Sequence, residues 1–170
     1  MDLPDDLKIP DEILKELKTP ELFCKHIEEG NCLQEILGYS DTMMEQLYSA
    51  AYKVFQEGRY EDGQDNFILL TTLNPYVYAY WLGLGMSYQL VEEYEQAVLA
   101  YEGAIATKND AALAYYYLAA CHLYLNNYDE SLQALKMVRE RCANIVENQE
   151  LMNKAQHAEM MVLKRKKQGR

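Results

Sequence analysis

The chain has 170 residues, 49% of them hydrophobic, and a formal net charge of −11. That length and apolar content suffice for one domain with a continuous core and exclude a mainly disordered chain. The acidity argues against nucleic acid as the main partner, and it is uneven: residues 1–74 carry 16 acids and 6 bases, residues 75–170 carry 11 and 10.

In chain order, residues 1–10 are acidic with prolines at Pro4 and Pro10, which predicts a loose tail. With no basic start and no apolar run, no signal peptide is expected. Ile13, Leu14 and Leu17 predict a short helix over 11–18. Thr19-Pro20 reads as an N-cap with proline at the first helical position, opening a helix that stops at Gly30. Leu33, Ile36 and Leu37 give another apolar turn before Gly38. Ser40-Asp41 can cap a helix ending at Gly58. Its partner runs from Tyr60 to Asn74-Pro75, where proline stops it. Two further pairs are predicted over 77–90 with 94–107 and 112–125 with 128–142. A last helix over 145–166 should cover the apolar end. No stretch approaches the ~20 apolar residues needed to span a bilayer.

The central pairs share a period of 34 residues. Trp81, Leu84, Gly85, Tyr88, Ala97, Tyr101 and Ala104 spell W-x2-L-G-x2-Y followed by A-x3-aromatic, the tetratricopeptide pattern. Shifted back, the slots hold Leu47, Ala50, Ala51, Val54, Gly63, Phe67 and Leu70. Shifted forward, they hold Tyr115, Leu118, Ala119, His122, Ser131, Leu135 and Val138. The fold class is therefore all-α, three helical hairpins in a right-handed superhelix. The expected division is 1–40 for an N-terminal extension, 41–143 for the repeats (44–77, 78–111, 112–142) and 144–170 for a capping helix with a basic tail. Small residues at Ala51, Gly85 and Ala119 let helices approach, and Trp81, Leu84, Tyr88, Ala97 and Tyr101 are expected to pack the repeats.

The first helix of each repeat has a second face, offset from those slots. It holds Tyr48, Tyr52 and Phe55, then Leu82, Met86 and Gln89, then Tyr116, Ala120 and Leu123. Contiguous apolar surface of this kind marks a partner site, and Tyr and Met suit a ligand with apolar side chains and a hydrogen-bonding backbone. Tyr48, Tyr52, Phe55, Leu82, Met86, Gln89, Tyr116 and Leu123 are thus the candidate peptide groove. The competing reading is that a terminal helix folds over this face.

Signs of catalysis are weak. Cys24, His26 and Cys32 lack a fourth ligand and a zinc-like spacing. Cys121 and His122 are adjacent on a helix and point apart, so they form no nucleophile–base pair. There is no phosphate loop and no nucleophile elbow. No enzyme activity, metal or cofactor is expected. The four cysteines show no C-x-x-C pair, which fits reduced thiols in a cytoplasmic protein. The basic end, Lys164 to Arg170, suits a helix C-terminus.

The runs Glu45-Gln46-Leu47-Tyr48-Ser49-Ala50-Ala51-Tyr52, Gly58-Arg59-Tyr60-Glu61-Asp62 and Trp81-Leu82-Gly83-Leu84-Gly85 resemble the class II chaperones of bacterial type III secretion, the SycD/LcrH/IpgC family. The resemblance covers about residues 31–142. It implies a cytoplasmic chaperone for hydrophobic translocator proteins, holding an extended segment near the client's N-terminus, with a Pro-x-Leu-x-x-Pro-like pattern, in the concave groove. It also implies a homodimer formed through residues 20–40, no nucleic-acid partner and no membrane insertion. The alternative is a generic tetratricopeptide scaffold bridging cytosolic proteins.

Overall fold

The computed structural model describes residues 13, 25, 26, 28–108, 110–143 and 148–168. Every regular element among them is a helix, so the all-α expectation holds. The helices expected over 11–18 and 20–29 lie largely outside the described residues. The chain divides into two compact units between Tyr76 and Val77.

The first unit contains α1 (Leu33–Ile36), α2 (Asp41–Gln56) and α3 (Tyr60–Leu73). The Cys32 N–H, at the mouth of α1, donates to Glu35 Oε2 at 2.8 Å. Ser40 opens α2 as expected, its Oγ accepting from the Met43 N–H at 3.2 Å. An orphan donor of the first turn is thereby satisfied. Gly58 closes the helix in the left-handed region, at φ +80°. The α2–α3 hairpin buries Met44, Ala51, Phe67, Leu70 and Leu73, and Cys32 and Ile36 are buried at its N-terminal side. A chain of amides joins α1 to the end of α3. Asn74 Nδ2 donates to Gln34 Oε1 at 2.7 Å, and buried Gln34 donates through Nε2 to Asp41 Oδ1 at 2.9 Å. Asn74 Oδ1 accepts from the Tyr76 N–H at 3.0 Å.

The second unit contains two hairpins, α4 (Tyr78–Leu90) with α5 (Tyr94–Thr107) and α6 (Ala112–Tyr124) with α7 (Tyr128–Cys142), followed by α8 (Gln149–Gln168). One core built on Ala97, Tyr101, Leu118, Leu135, Val138 and Val162 runs through it. The glycines of the repeat have steric reasons. A Cβ on Gly85 would fall 2.6 Å from the ring of Tyr101, and one on Gly103 would fall 2.7 Å from Trp81. Tyr101 is fully buried and places its hydroxyl on Gln89 Oε1 at 2.7 Å. The buried Ser131 donates to the Ala119 carbonyl at 2.7 Å, tying α7 to α6. Helix α8 starts at Gln149, buries Ala155 and Val162, and is clamped to α7 by Arg139–Glu159 at 2.7 Å and by Lys166–Asp129.

The 34-residue period reappears in the backbone. Gly58, Glu92 and Asn126 all take positive φ, +80°, +64° and +61°. Tyr60, Tyr94 and Tyr128 then each open the second helix of a repeat. Burial differs at one shared slot of the repeats: Leu84 and Leu118 are buried, whereas Ala50 is exposed. A methyl group is too short to reach the layer that the two leucines fill.

Candidate functional site

On α2, Tyr48, Tyr52 and Phe55 form a ladder. Tyr48 and Tyr52 stack at 6.2 Å between ring centroids with planes 24° apart, and Tyr52 and Phe55 at 6.4 Å and 18°. The spacing of four and then three residues puts them on one helical face, each ring above the next. Phe55 leans on Tyr60 at 5.4 Å, and Tyr48 meets the core ring of Phe67 edge-on at 6.2 Å. The ladder is thus anchored at both ends. Its middle ring is open, with Tyr52 45% exposed while Tyr48 and Phe55 are half-buried. Burial first, and Tyr52 second, raise the Tyr48 hydroxyl above its ordinary pKa, so it stays a neutral donor. Pre-stacked rings present apolar area at little ordering cost.

In the second unit the candidate residues have mixed surroundings. Leu82 and Met86 are half-buried and pack against the core. Gln89 is held by the Tyr101 hydroxyl, which fixes its carboxamide. Among the packing residues, Leu84, Gly85, Ala97 and Tyr101 are buried, while Trp81 and Tyr88 are half-buried. Tyr116 is half-buried and meets Tyr117 edge-on at 5.7 Å. Leu123 is buried, at 9% exposure. Tyr116, Ala120 and Leu123 line a cavity of about 220 Å³ whose far wall is α8, through Ala158, Met161, Val162 and Arg165. On this repeat the row therefore faces a chamber walled by the terminal helix.

The repeat pattern did not point to Tyr124, which follows Leu123 on α6. It is 55% exposed and stacks on Tyr94 at 4.6 Å with planes 1° apart. The available signal was the recurrence of tyrosine at the second-helix start, since Tyr94 occupies that slot.

Cys121 is fully buried, and burial pushes its thiol up to about 12, so no thiolate forms near neutral pH. His122 is half-buried, and its Nδ1 has no hydrogen-bond partner among the described residues. Burial lowers its pKa, with Glu130 and Glu102 acting in the opposite sense. His26 Nδ1 lies 3.1 Å from Asn31 Nδ2, and Cys24 lies outside the described residues. Among the described residues no group of three or more His, Cys, Asp or Glu could hold a metal ion, and no helix is long and apolar enough to cross a membrane.

The chain is 32% identical over 126 residues to the Low calcium response locus protein H of Yersinia pestis, covering 74% of each chain. Its fold matches the Yersinia enterocolitica type III secretion chaperone SycD in complex with a peptide of the translocator YopD, with a TM-score of 0.71 and 28% identity over 75% of this chain and 97% of that one. It also matches Pseudomonas aeruginosa PcrH in complex with the chaperone binding region of PopD, with a TM-score of 0.73 and 29% identity over 76% of this chain and 97% of that one. No protein-family model matches.

Proposed function

This chain belongs to the class II type III secretion chaperone family, and from that premise we propose that it escorts hydrophobic translocator proteins in the bacterial cytoplasm. It is a binding protein and not an enzyme. It takes an extended, Pro-x-Leu-x-x-Pro-like segment of the client and keeps the rest soluble until export. It acts as a homodimer.

One observation carries this reading: the Tyr48–Tyr52–Phe55 ladder is braced at one end by the core ring of Phe67 and at the other by Tyr60, and is open at Tyr52. A surface that only packed its own chain would bury that ring. Leu82, Met86 and Tyr116 offer the same apolar chemistry in the second unit. Prolines in a client segment would pre-set an extended shape and lower its ordering cost.

The test is titration of the full chain with a translocator-derived peptide, with helicity followed in parallel. Tyr52→Ala is expected to weaken binding by ~1–3 kcal/mol, about 5- to 150-fold, with helix content retained. Affinity left unchanged would take the ladder out of the site.

A further inference from the structure

The cavity between α6, α7 and α8 has chemistry that the repeat signature does not require. At about 220 Å³ it exceeds the about 150 Å³ of a dry, apolar engineered cavity known to admit benzene, so it has room for one leucine or phenylalanine side chain. Ala119, Ala120, Leu123, Leu135, Ala158 and Val162 make its wall apolar. Tyr116, Tyr124 and Ser131 bring hydroxyls to that wall, and the one on Ser131 is already given to the Ala119 carbonyl. Arg165 is the only charged lining residue. It is exposed and makes no ion pair among the described residues, and Lys164 and Lys167 beside it are also exposed and unpaired there. Lys166, by contrast, is engaged with Asp129. The outer side of the same turn of α8 presents Met160, 62% exposed, with Leu163.

We propose that this cavity is a second anchor point on the chaperone. It receives one bulky apolar side chain of an acidic client segment, whose neighbouring carboxylates pair with Arg165, Lys164 and Lys167. The inference rests on the escort reading for the identity of the client, but not for the existence of the site. A peptide fits the observations better than a lipid surface does. The cavity accepts a single side chain, and the cations span only the last turns of α8, a small patch for a bilayer plane.

The experiment uses the full chain and three short probes: acetyl-Asp-Glu-Phe-Glu-Asp-amide, its amide counterpart acetyl-Asn-Gln-Phe-Gln-Asn-amide, and the acidic probe with Ala in place of Phe. The acidic Phe probe should shift the backbone amide resonances of Ala120, Leu123, Ala158 and Val162. The other two should bind at least about tenfold more weakly, the scale of one lost anchor or close charge pair. Arg165→Glu, at an exposed site that leaves the fold alone, should weaken the acidic probe by about tenfold. Ala158→Leu should abolish the shifts by filling the chamber. If Ala158→Leu unfolds the chain, the Arg165→Glu result decides. Equal binding of all three probes, or shifts confined to other residues, would overturn the site. So would binding to phosphatidylglycerol vesicles that outcompetes the acidic probe. Arg165→Glu should still take up the Pro-x-Leu-x-x-Pro-like peptide. Loss of that peptide by the unmodified chain, with the acidic probe still bound, would sink the escort reading and leave the site standing.

Discussion

The unit ending at Tyr76 holds a single repeat hairpin, while the unit from Val77 holds two hairpins and a closing helix. The second unit closes around one ring: Tyr101 is fully buried, stacks on Tyr117 at 5.6 Å and closes against Gly85. The first unit buries Phe67 but leaves Tyr52, Ile68, Leu69 and Tyr76 exposed. The same 34-residue template thus closes on a ring in the second unit and leaves the ladder ring of Tyr52 open in the first, while each unit also keeps large apolar side chains at its surface, among them Leu99, Tyr124 and Met160 in the second.

The sharpest way to break that contrast is to remove its central ring. Tyr101→Ala should cost ~3–5 kcal/mol, read as an earlier urea transition in the fluorescence of Trp81, the only tryptophan. Phe67→Ala in the first unit should cost a similar amount, but appear in helicity before it appears in Trp81 emission. Coincident transitions for both variants would show that the two units unfold as one. Next in size is Gly85→Ala. The same slot already holds Ala51 and Ala119, but here a Cβ would meet Tyr101, so the change should cost ~1–3 kcal/mol through overpacking. The double variant Gly85→Ala/Tyr101→Leu should recover part of that loss, because the second substitution removes the ring it hits.

A pH effect should arise from the second unit. Burial holds the pKa of His122 below its ordinary 6.5, so the unfolded chain binds the proton more readily. The stability from a neutral His122 is fully present above 6.5 and is lost as pH falls toward its folded value. Urea midpoints taken at neutral and at mildly acidic pH should therefore drop. His122→Tyr, which copies the Tyr88 slot, should flatten the drop. The Arg139–Glu159 bridge joining α8 to α7 should give a double-mutant coupling of about 0.5–1 kcal/mol, diminishing in high salt. The smallest change should be a gain. Glu92 is a side-chain-bearing residue in the left-handed region, and Glu92→Gly should stabilise by about 0.5–1 kcal/mol in the same denaturation assay.

Much of this architecture could be read from the residues because each local signal agreed with its neighbours. Ser40 and Gly58 bracket α2, Asn74-Pro75 ends α3, and the tyrosines at 60, 94 and 128 open the second helices. The left-handed turn at Gly58 is expected of glycine and that at Asn126 of asparagine. At Glu92 nothing in the side chain announces it, and only the period places it there. The aromatic ladder was visible as a spacing of four and three, but its bracing by Phe67 and Tyr60 needs the hairpin to be closed first. The chamber under α8 was invisible for a deeper reason. A closing helix has no repeat register to align, so nothing in the spacing of Ala158, Met161 and Val162 marks the space they leave unfilled. The stack of Tyr94 on Tyr124 likewise joins two different repeats and so falls outside any single-repeat pattern.

The amide chain from Gln34 to Asn74 bears on how this protein can be trimmed. A minimal version starting at Ser40 would keep every repeat position yet strip Asn74 of the acceptor that receives its side-chain N–H from forty residues upstream. The linker leading out of the first hairpin would lose its brace, and the segment before the repeats would prove to be a fastening as well as a leader.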